Sequence, residues 1–283
     1  MSGPESVYAA EARSAEAWAR TAGELLVSSY ERVLRIDRKS KRDVVTEVDF
    51  ASERSIIAAI KQRYPLDEIL AEESGHHTRE PAAEAAEGDG GRERRWVIDP
   101  LDGTVNYANG IPFFCVSVAM IDGDRPAVGV VLDPLRDDCY VATADGPTTL
   151  NGKVVVASEK DTLGDFVVSM AIIGRGGIGR ERRIGRQVRI PRRMGSAALA
   201  LAYVAGARFD AFIQNGGLSA WDVAAAGLIA ERAGATVTDL QGGRWWGAER
   251  RNARVSIVAA PEPHHAGLLQ LLAATGTEVR TRR

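Results

Sequence analysis

The sequence predicts a mixed α/β (α+β) fold, because two kinds of pattern alternate along one chain. Apolar residues recur at helical spacing in several segments, the first near the N-terminus and another from Trp221. Between them lie short runs rich in β-branched and aromatic residues, punctuated by Asp, Gly and Pro, which read as strands. The 283 residues suffice for a large core, as one big domain or two lobes.

From about Ser6 to Val33, the side chains Ala15, Trp18, Ala22, Leu25, Leu26 and Val33 fit one helix face. Arg38-Lys39-Ser40-Lys41-Arg42 reads as a basic loop. After Asp43-Val44-Val45-Thr46-Glu47-Val48-Asp49 comes a helical pattern with Ile56, Ile57 and Ile60 on one face, and Asp49 stands where an N-cap would stand. Tyr64-Pro65 closes that helix. Ile69-Leu70-Ala71 reads as a short strand, followed by Glu72-Glu73-Ser74. Adjacent carboxylates on a strand face opposite ways, so one of the pair can face a shared site, and Glu72 is taken as that one. Gly75 to Arg95 is polar and low in complexity and reads as a surface loop; its His76-His77 pair has no third ligand at metal spacing.

The stretch Trp96-Val97-Ile98-Asp99-Pro100-Leu101-Asp102-Gly103-Thr104 organises the chain. Its first three residues read as a buried strand, which Pro100, lacking an N–H, is expected to end. Asp99 and Asp102 flank the turn, and two carboxylates so close repel unless a cation or proton lies between them. Gly103 permits close backbone approach, and Thr104 opens a helix or loop whose free N–H groups favour an anion. Carboxylates for a metal followed at once by amides for a phosphate is the layout of a metal-dependent phosphatase. Read alone, the stretch also suits an ordinary surface turn.

Phe113 to Met120, Ala127 to Leu132 and Cys139 to Ala142 read as an antiparallel meander, and Asn151-Gly152 as a hairpin turn entering Val154 to Val156. Phe166 to Met170 is a further strand. Between Arg175 and Arg193 stand eight arginines against one acid, Glu181. That patch suits a solvated loop, a subunit rim, or a clamp for a second anionic group, with Arg192 and Arg193 as its candidate contacts. Ser196 to Ala207 reads as an Ala-rich helix, Arg208 to Ile213 as a strand and Gln214 to Ala220 as a flexible loop. Trp221-Asp222 opens a helix that runs to about Ala233 and is capped by Gly234. Thr236 to Thr238 and Ser256 to Ala259 are strands, and a last helix starts near His264.

The apolar and charged contents, 45% and 26%, are those of a soluble globular protein. The net charge of −2 favours neither a nucleic-acid polymer nor a membrane as partner. Cys115 and Cys139 lack metal-ligand spacing, no signal-peptide pattern opens the chain, and no apolar run is long enough to span a membrane. A cytoplasmic protein is expected.

Asp43 to Asp49, Glu72-Glu73-Ser74, Asp99 to Thr104, Gly195-Ser196-Ala197-Ala198 and Trp221-Asp222-Val223-Ala224-Ala225-Ala226-Gly227 occur in one order. Together they resemble the inositol monophosphatase family over roughly Val7 to Leu272. The resemblance implies a layered αβαβα sandwich of the inositol monophosphatase / fructose-1,6-bisphosphatase type. Residues 1–145 would form a lobe with most metal ligands and 146–283 a lobe with Asp222, acting as one unit. It implies two to three Mg²⁺ per site, replaceable by Mn²⁺ and inhibited by Li⁺, and a homodimer. Glu72, Asp99, the Leu101 carbonyl, Asp102 and Asp222 match the metal ligands. Asp49 and Thr104 match the pair that positions the nucleophilic water, so that Asp49, Glu72 and Thr104 are the catalytic candidates. Asp102, Gly103, Thr104 and Ser196 match substrate-side positions.

The implied function is hydrolysis of a small phosphorylated metabolite, with inositol 1-phosphate the default substrate. One departure bears on that choice. Where inositol-specific members carry a Glu seven residues before the Trp-Asp aspartate, this chain has Asn215, which donates as well as accepts and has no charge. Alternative substrates are fructose 1,6-bisphosphate, 3′-phosphoadenosine phosphate, histidinol phosphate and aminocyclitol phosphates. The rival of another class is a non-catalytic homologue that binds Mg²⁺ or anions; the presence of both Asp49 and Thr104 disfavours it.

Overall fold

The computed structural model describes residues 5–31, 36–40, 43–78, 93–247 and 255–274, with backbone alone for 36–40 and 43–45. Its elements stack in five layers. The first is a helix pair, α1 (Ala9–Ser29) and α2 (Glu47–Arg63). Trp18, Ala15, Ala19 and Ala22 of α1 and Ile56 and Ile60 of α2 pack on Trp96, Ile98, Val118 and Val130 of a large sheet.

That sheet has eight strands: β3 (Glu68–Ala71), β4 (Gly75–His77), β5 (Arg94–Asp102), β6 (Cys115–Asp122), β7 (Arg125–Asp133), β8 (Asp138–Thr143), β9 (Thr149–Leu150) and β10 (Lys153–Val154), in the order β10-β9-β8-β7-β6-β5-β3-β4. β3 and β5 are parallel, while β5 to β8 form the expected antiparallel meander. Alternation along β5 sends Trp96 and Ile98 to the first helix layer and Val97 to the opposite face.

On that opposite face lie α5 (Ala197–Ala205) and α6 (Ala220–Arg232), both rich in Ala. Small side chains let α6 settle closely on the sheet: a Cβ on Gly129 of β7 would lie 2.7 Å from the Ala225 carbonyl oxygen. The same two helices touch Phe212, Ile257 and Ala259 of a second sheet. It has five strands, β11 (Val167–Ile172), β12 (Ile190–Arg192), β13 (Ala211–Leu218), β14 (Thr236–Thr238) and β15 (Val255–Ala260), ordered β12-β11-β13-β15-β14. Its outer face, with Val168, Met170, Ile213 and Val258, is covered by Ile184 of α4 (Gly177–Gly185) and by Leu268 and Leu272 of α7 (His264–Ala273). The layers therefore run αβαβα. Among the described residues no helix is long and apolar enough to cross a membrane.

Five local readings are corrected. The basic stretch Arg38 to Arg42 is a loop only in part: β1 (Ile36–Ser40) pairs antiparallel with β2 (Asp43–Thr46), and Lys41 and Arg42 lie outside the described residues. Backbone pairing needs no apolar side chain, so a polar hairpin leaves no period for a sequence to display. Thr46, not Asp49, is the N-cap of α2, and Asp49 is the third helical residue. Pro100 does not end its strand. β5 continues to Asp102, with a register shift against β6 between Asp99 and Asp102 that relieves Pro100 of ladder duty. Gln214 to Leu218 is strand, not loop: β13 runs through it beside β15, again with a register shift, where Gly216 and Gly217 both take positive φ. Gly75 to His77 is the edge strand β4, and 79–92 lie outside the described residues.

Candidate metal and active site

Because β3 and β5 run parallel, their C-terminal ends coincide, and there Glu72, Asp99 and Asp102 come off the sheet. Four helices start at the same place. Thr46 and Asp49 form a capping box at α2: the Thr46 N–H and Oγ donate to Asp49 Oδ2 at 2.8 and 2.5 Å. Ser219 and Asp222 form the same box at α6, where the Ser219 N–H donates to Asp222 Oδ2 at 2.5 Å. Gly103, with φ +96°, turns the chain from β5 into α3 (Thr104–Ala108). A Cβ there would sit 3.0 Å from the Phe113 carbonyl oxygen, so the position demands glycine on both counts. Ser196 caps α5, and its Oγ also donates to Asp102 Oδ2 at 2.6 Å, beside the Ala198 N–H at 2.6 Å. Asp102 thus acts as an acid at the positive end of α5 from another strand.

Asp99, Asp102 and Asp222 each offer an oxygen, and the three atoms lie within 4.8 Å of one another. Asp99 is 1% exposed and Asp102 8%. Burial, then the charges of Glu72, Asp102 and Asp222, push Asp99 well above the usual carboxylate range. Burial raises Asp102 to about 6 against the bonds from Ser196 and Ala198. Glu72 stands outside the triad of oxygens, yet its charge acts on Asp49, Asp99 and Asp102. Buried carboxylates that repel in this way form a donor set for a hard divalent cation, which takes oxygen ligands. The residues fit Mg²⁺.

Beside the triad, Thr104 Oγ lies 3.1 Å from Asp49 Oδ1 and 3.0 Å from the Leu101 carbonyl, with its proton available to either. Burial raises Asp49 to about 6, against the hydrogen bonds from Thr46 and Thr104. The Leu101 N–H donates to Asp99 Oδ1, which fixes the Asp99-Pro100-Leu101 turn.

The other candidates have partners of their own. Asn215, on β13, donates to the Ile173 carbonyl at 3.2 Å and accepts from Ser256 Oγ at 3.4 Å. Arg193 is ion-paired with Glu181 at 2.5 Å, and Arg192 donates to its neighbour's carbonyl, that of Pro191. His76 and His77 join no cluster of metal-ligand type among the described residues.

Three supporting residues escaped the sequence reading. Glu53 accepts from the Glu73 and Ser74 N–H groups at 2.8 and 2.9 Å and so holds the turn that carries Glu72. Ser52 Oγ donates to the Pro100 carbonyl, and Asn106 donates to the carbonyls of Phe113 and Met194, tying α3 to the approach to α5. A signal existed for the first two: both fall on the buried stripe of α2 with Ile56 and Ile60, where an unexplained polar residue needs a partner.

The burial of these acids has a measurable consequence. Asp49 and Asp102 titrate near 6 in the fold, above the ordinary value, so the folded chain binds more protons than the unfolded one. Their contribution to stability is full below about pH 4 and is lost as pH rises through about 6. In a chelator, the melting temperature should therefore rise between about pH 7.5 and 5, by an amount equivalent to roughly 1–3 kcal/mol, and Mg²⁺ at pH 7.5 should restore it. A flat or falling profile in chelator would mean that burial does not hold Asp49 and Asp102 above the ordinary carboxylate range.

A layered α/β protein with a buried polycarboxylate centre at the C-terminal ends of parallel strands is the class that fold and site define. The family model for the inositol monophosphatase family matches residues 8–277, and the chain belongs to that family, whose members are generally Mg²⁺-dependent. It is 39% identical over 240 residues to the Nus factor SuhB of Pseudomonas aeruginosa, covering 79% of this chain and 83% of that one. It is 36% identical over 217 residues to the inositol-1-monophosphatase of Mesorhizobium japonicum, covering 75% and 77%. Among solved structures, the extragenic suppressor protein suhB of Bartonella henselae superposes with a TM-score of 0.82 at 31% identity, over 93% of this chain and 98% of that one.

These names correct one expectation. Net charge excluded a nucleic-acid polymer as partner, but several relatives 36–39% identical carry the name Nus factor rather than that of an esterase, and the exclusion falls. Net charge is an average over the surface and does not govern a local one. Arg182, Arg186, Arg189 and Arg192 are exposed within one short stretch.

Proposed function

We propose that this chain is a Mg²⁺-dependent phosphoric monoester hydrolase acting on a small phosphorylated polyol or sugar. The observation that carries the reading is the convergence of Asp99, Asp102 and Asp222 beside the Asp49–Thr104 pair. Asp99, Asp102, Asp222, Glu72 and the Leu101 carbonyl would hold the ions, two to three in number, with Mn²⁺ as a substitute. Bound Mg²⁺ would supply positive charge to the phosphate oxygens and lower the pKa of a coordinated water. Thr104 Oγ donates its proton to Asp49 Oδ1, so its lone pairs would be free to orient a water; the water's proton would pass to Thr104 Oγ as the Thr104 hydroxyl proton passes to the Asp49 carboxylate. The Gly103 and Thr104 amides and Ser196 would hold the phosphate, and Asn215 would meet the alcohol side. No Ser or Cys nucleophile is needed. Cys115, buried against Asp102, is pushed well above the usual thiol range by burial and nearby acids and is a poor thiolate. Two free, buried cysteines suit a cytoplasmic setting.

The test is phosphate release from a panel of phosphomonoesters with Mg²⁺, Mn²⁺ or chelator. Activity that requires the divalent ion and falls on adding Li⁺ is the expected result. No release from any ester would leave a binding protein.

Substrate choice turns on the arginines. If Arg192 or Arg193 meets a second anionic group, an Arg192→Ala, Arg193→Ala double variant should lose about tenfold or more in kcat/KM on a bisphosphate or a nucleotide phosphate, with myo-inositol 1-phosphate little changed. Equal effects on both substrates would remove the arginines from recognition.

A second reading takes the Nus factor relatives as its guide and the exposed arginines as its observation: the same face meets a nucleic acid. Oligonucleotide binding should then weaken steeply with added salt. Salt-insensitive binding, or none, would end that reading.

A further inference from the structure

The face of the large sheet that carries Glu72 and Asp99 does not end with them. Glu68, Leu70 and Glu72 alternate onto one side of the β3 line, and Arg95, Val97 and Asp99 onto the same side of β5, paired Glu68 to Arg95 and Leu70 to Val97. Over these first two rows, next to Ala220 at the start of α6, opens a cavity of about 390 Å³. That volume lies in the ~300–1,000 Å³ range of small-molecule sites. We infer that this cavity is a second ligand site, separate from the acidic centre, and that it takes an uncharged planar nitrogen heterocycle of the nucleobase type.

The floor and one wall are apolar: Leu70, Val97, Ile121 and the indole of Trp246. A flat ring matches such a surface better than a polyol, whose hydroxyls would lose water without gaining partners. Trp246 is 8% exposed, so most of its ring is packed away and what it gives the cavity is an apolar wall. At the rim, Arg95 spends its Nε and Nη2 on Glu68 Oε2, at 2.9 and 2.5 Å, which leaves the Nη1 edge as a donor. The exposed Glu93 carboxylate stands at the same rim as an acceptor.

Charge decides between ring types. Glu68 already neutralises Arg95, Arg94 is engaged by Glu11 and Asp67, and Glu93 adds a negative charge. A carboxylate or phosphate ligand would meet no net positive field there. A neutral ring with both donor and acceptor edges satisfies the guanidinium and the carboxylate together.

The experiment uses the full chain and a panel of adenosine, guanosine, uridine, benzoate and myo-inositol, by calorimetry and ligand-observed NMR, in Mg²⁺ and in chelator. Saturable binding of adenosine or guanosine, equal in both buffers, is expected, with no binding of myo-inositol. A Glu68→Gln, Arg95→Gln double variant should weaken it by about tenfold or more, with melting temperature as the control for folding. In the wild type, where no variant need fold, adenosine should slow amide exchange at 93–97 and 121–123. No saturable nucleoside binding, tighter binding of benzoate than of adenosine, protection elsewhere, or loss of binding in Asp222→Asn would each overturn the assignment.

Discussion

Asp99→Asn should lower Mg²⁺-dependent phosphate release by about 10³-fold or more, the scale expected when a charge-stabilising group is lost from a buried site. The same change should make the chelated protein more stable. Asp99 is buried against the charges of Glu72, Asp102 and Asp222, and an amide relieves the repulsion while leaving an oxygen to accept the Leu101 N–H. A gain of roughly 1–2 kcal/mol at neutral pH is expected. The opposite signs are the useful feature, because a misfolded variant would lose both activity and stability. Near-normal turnover in Asp99→Asn would remove the stretch around it from the active site.

Thr104→Ala should lower kcat by about 10²-fold, the lower end for removing a group that handles a proton. Mg²⁺ dependence and KM should change little. The hydroxyl touches Asp49 and the Leu101 carbonyl, and its loss removes none of the oxygens that would hold the ions. Thr104→Ser should recover most of the rate, since it restores the oxygen without the methyl group. A change confined to KM would make Thr104 a substrate contact and require another group to position the water.

Several features of the fold and of the site were legible because they are local. A carboxylate in a helix's first turn, a hairpin at Asn151-Gly152 and a glycine at a strand-to-helix turn each depend on residues within four positions of one another. Asp222 stands in the first turn of α6, Asn151 and Gly152 take φ of 49° and 75°, and Gly103 takes φ +96°. Readings failed where an element is held by neighbours rather than by its own pattern. Pro100 remains in a strand because it sits in a bulge of β5 itself, where the ladder asks for no N–H. Gln214 to Leu218 extends beside β15 despite two glycines. The basic 36–40 segment pairs with a strand that offers backbone, not a core.

By itself, the sequence determined the donors and their local attitude: which carboxylates exist, which begin helices, and which two flank the turn before Gly103. Only the tertiary structure decided that Asp222 meets Asp99 and Asp102 across more than a hundred residues, that Glu53 holds the turn bearing Glu72, and that Asp102 serves the N-terminus of α5. The physical reason is that such meetings follow from which faces share a core. α6 must bury its Ala-rich sides against both sheets, and that places its first turn over the ends of β3 and β5. The entropy of closing so long a loop grows only slowly with its length, so chain distance carries almost no information about the encounter, while the packing of the layers carries nearly all of it.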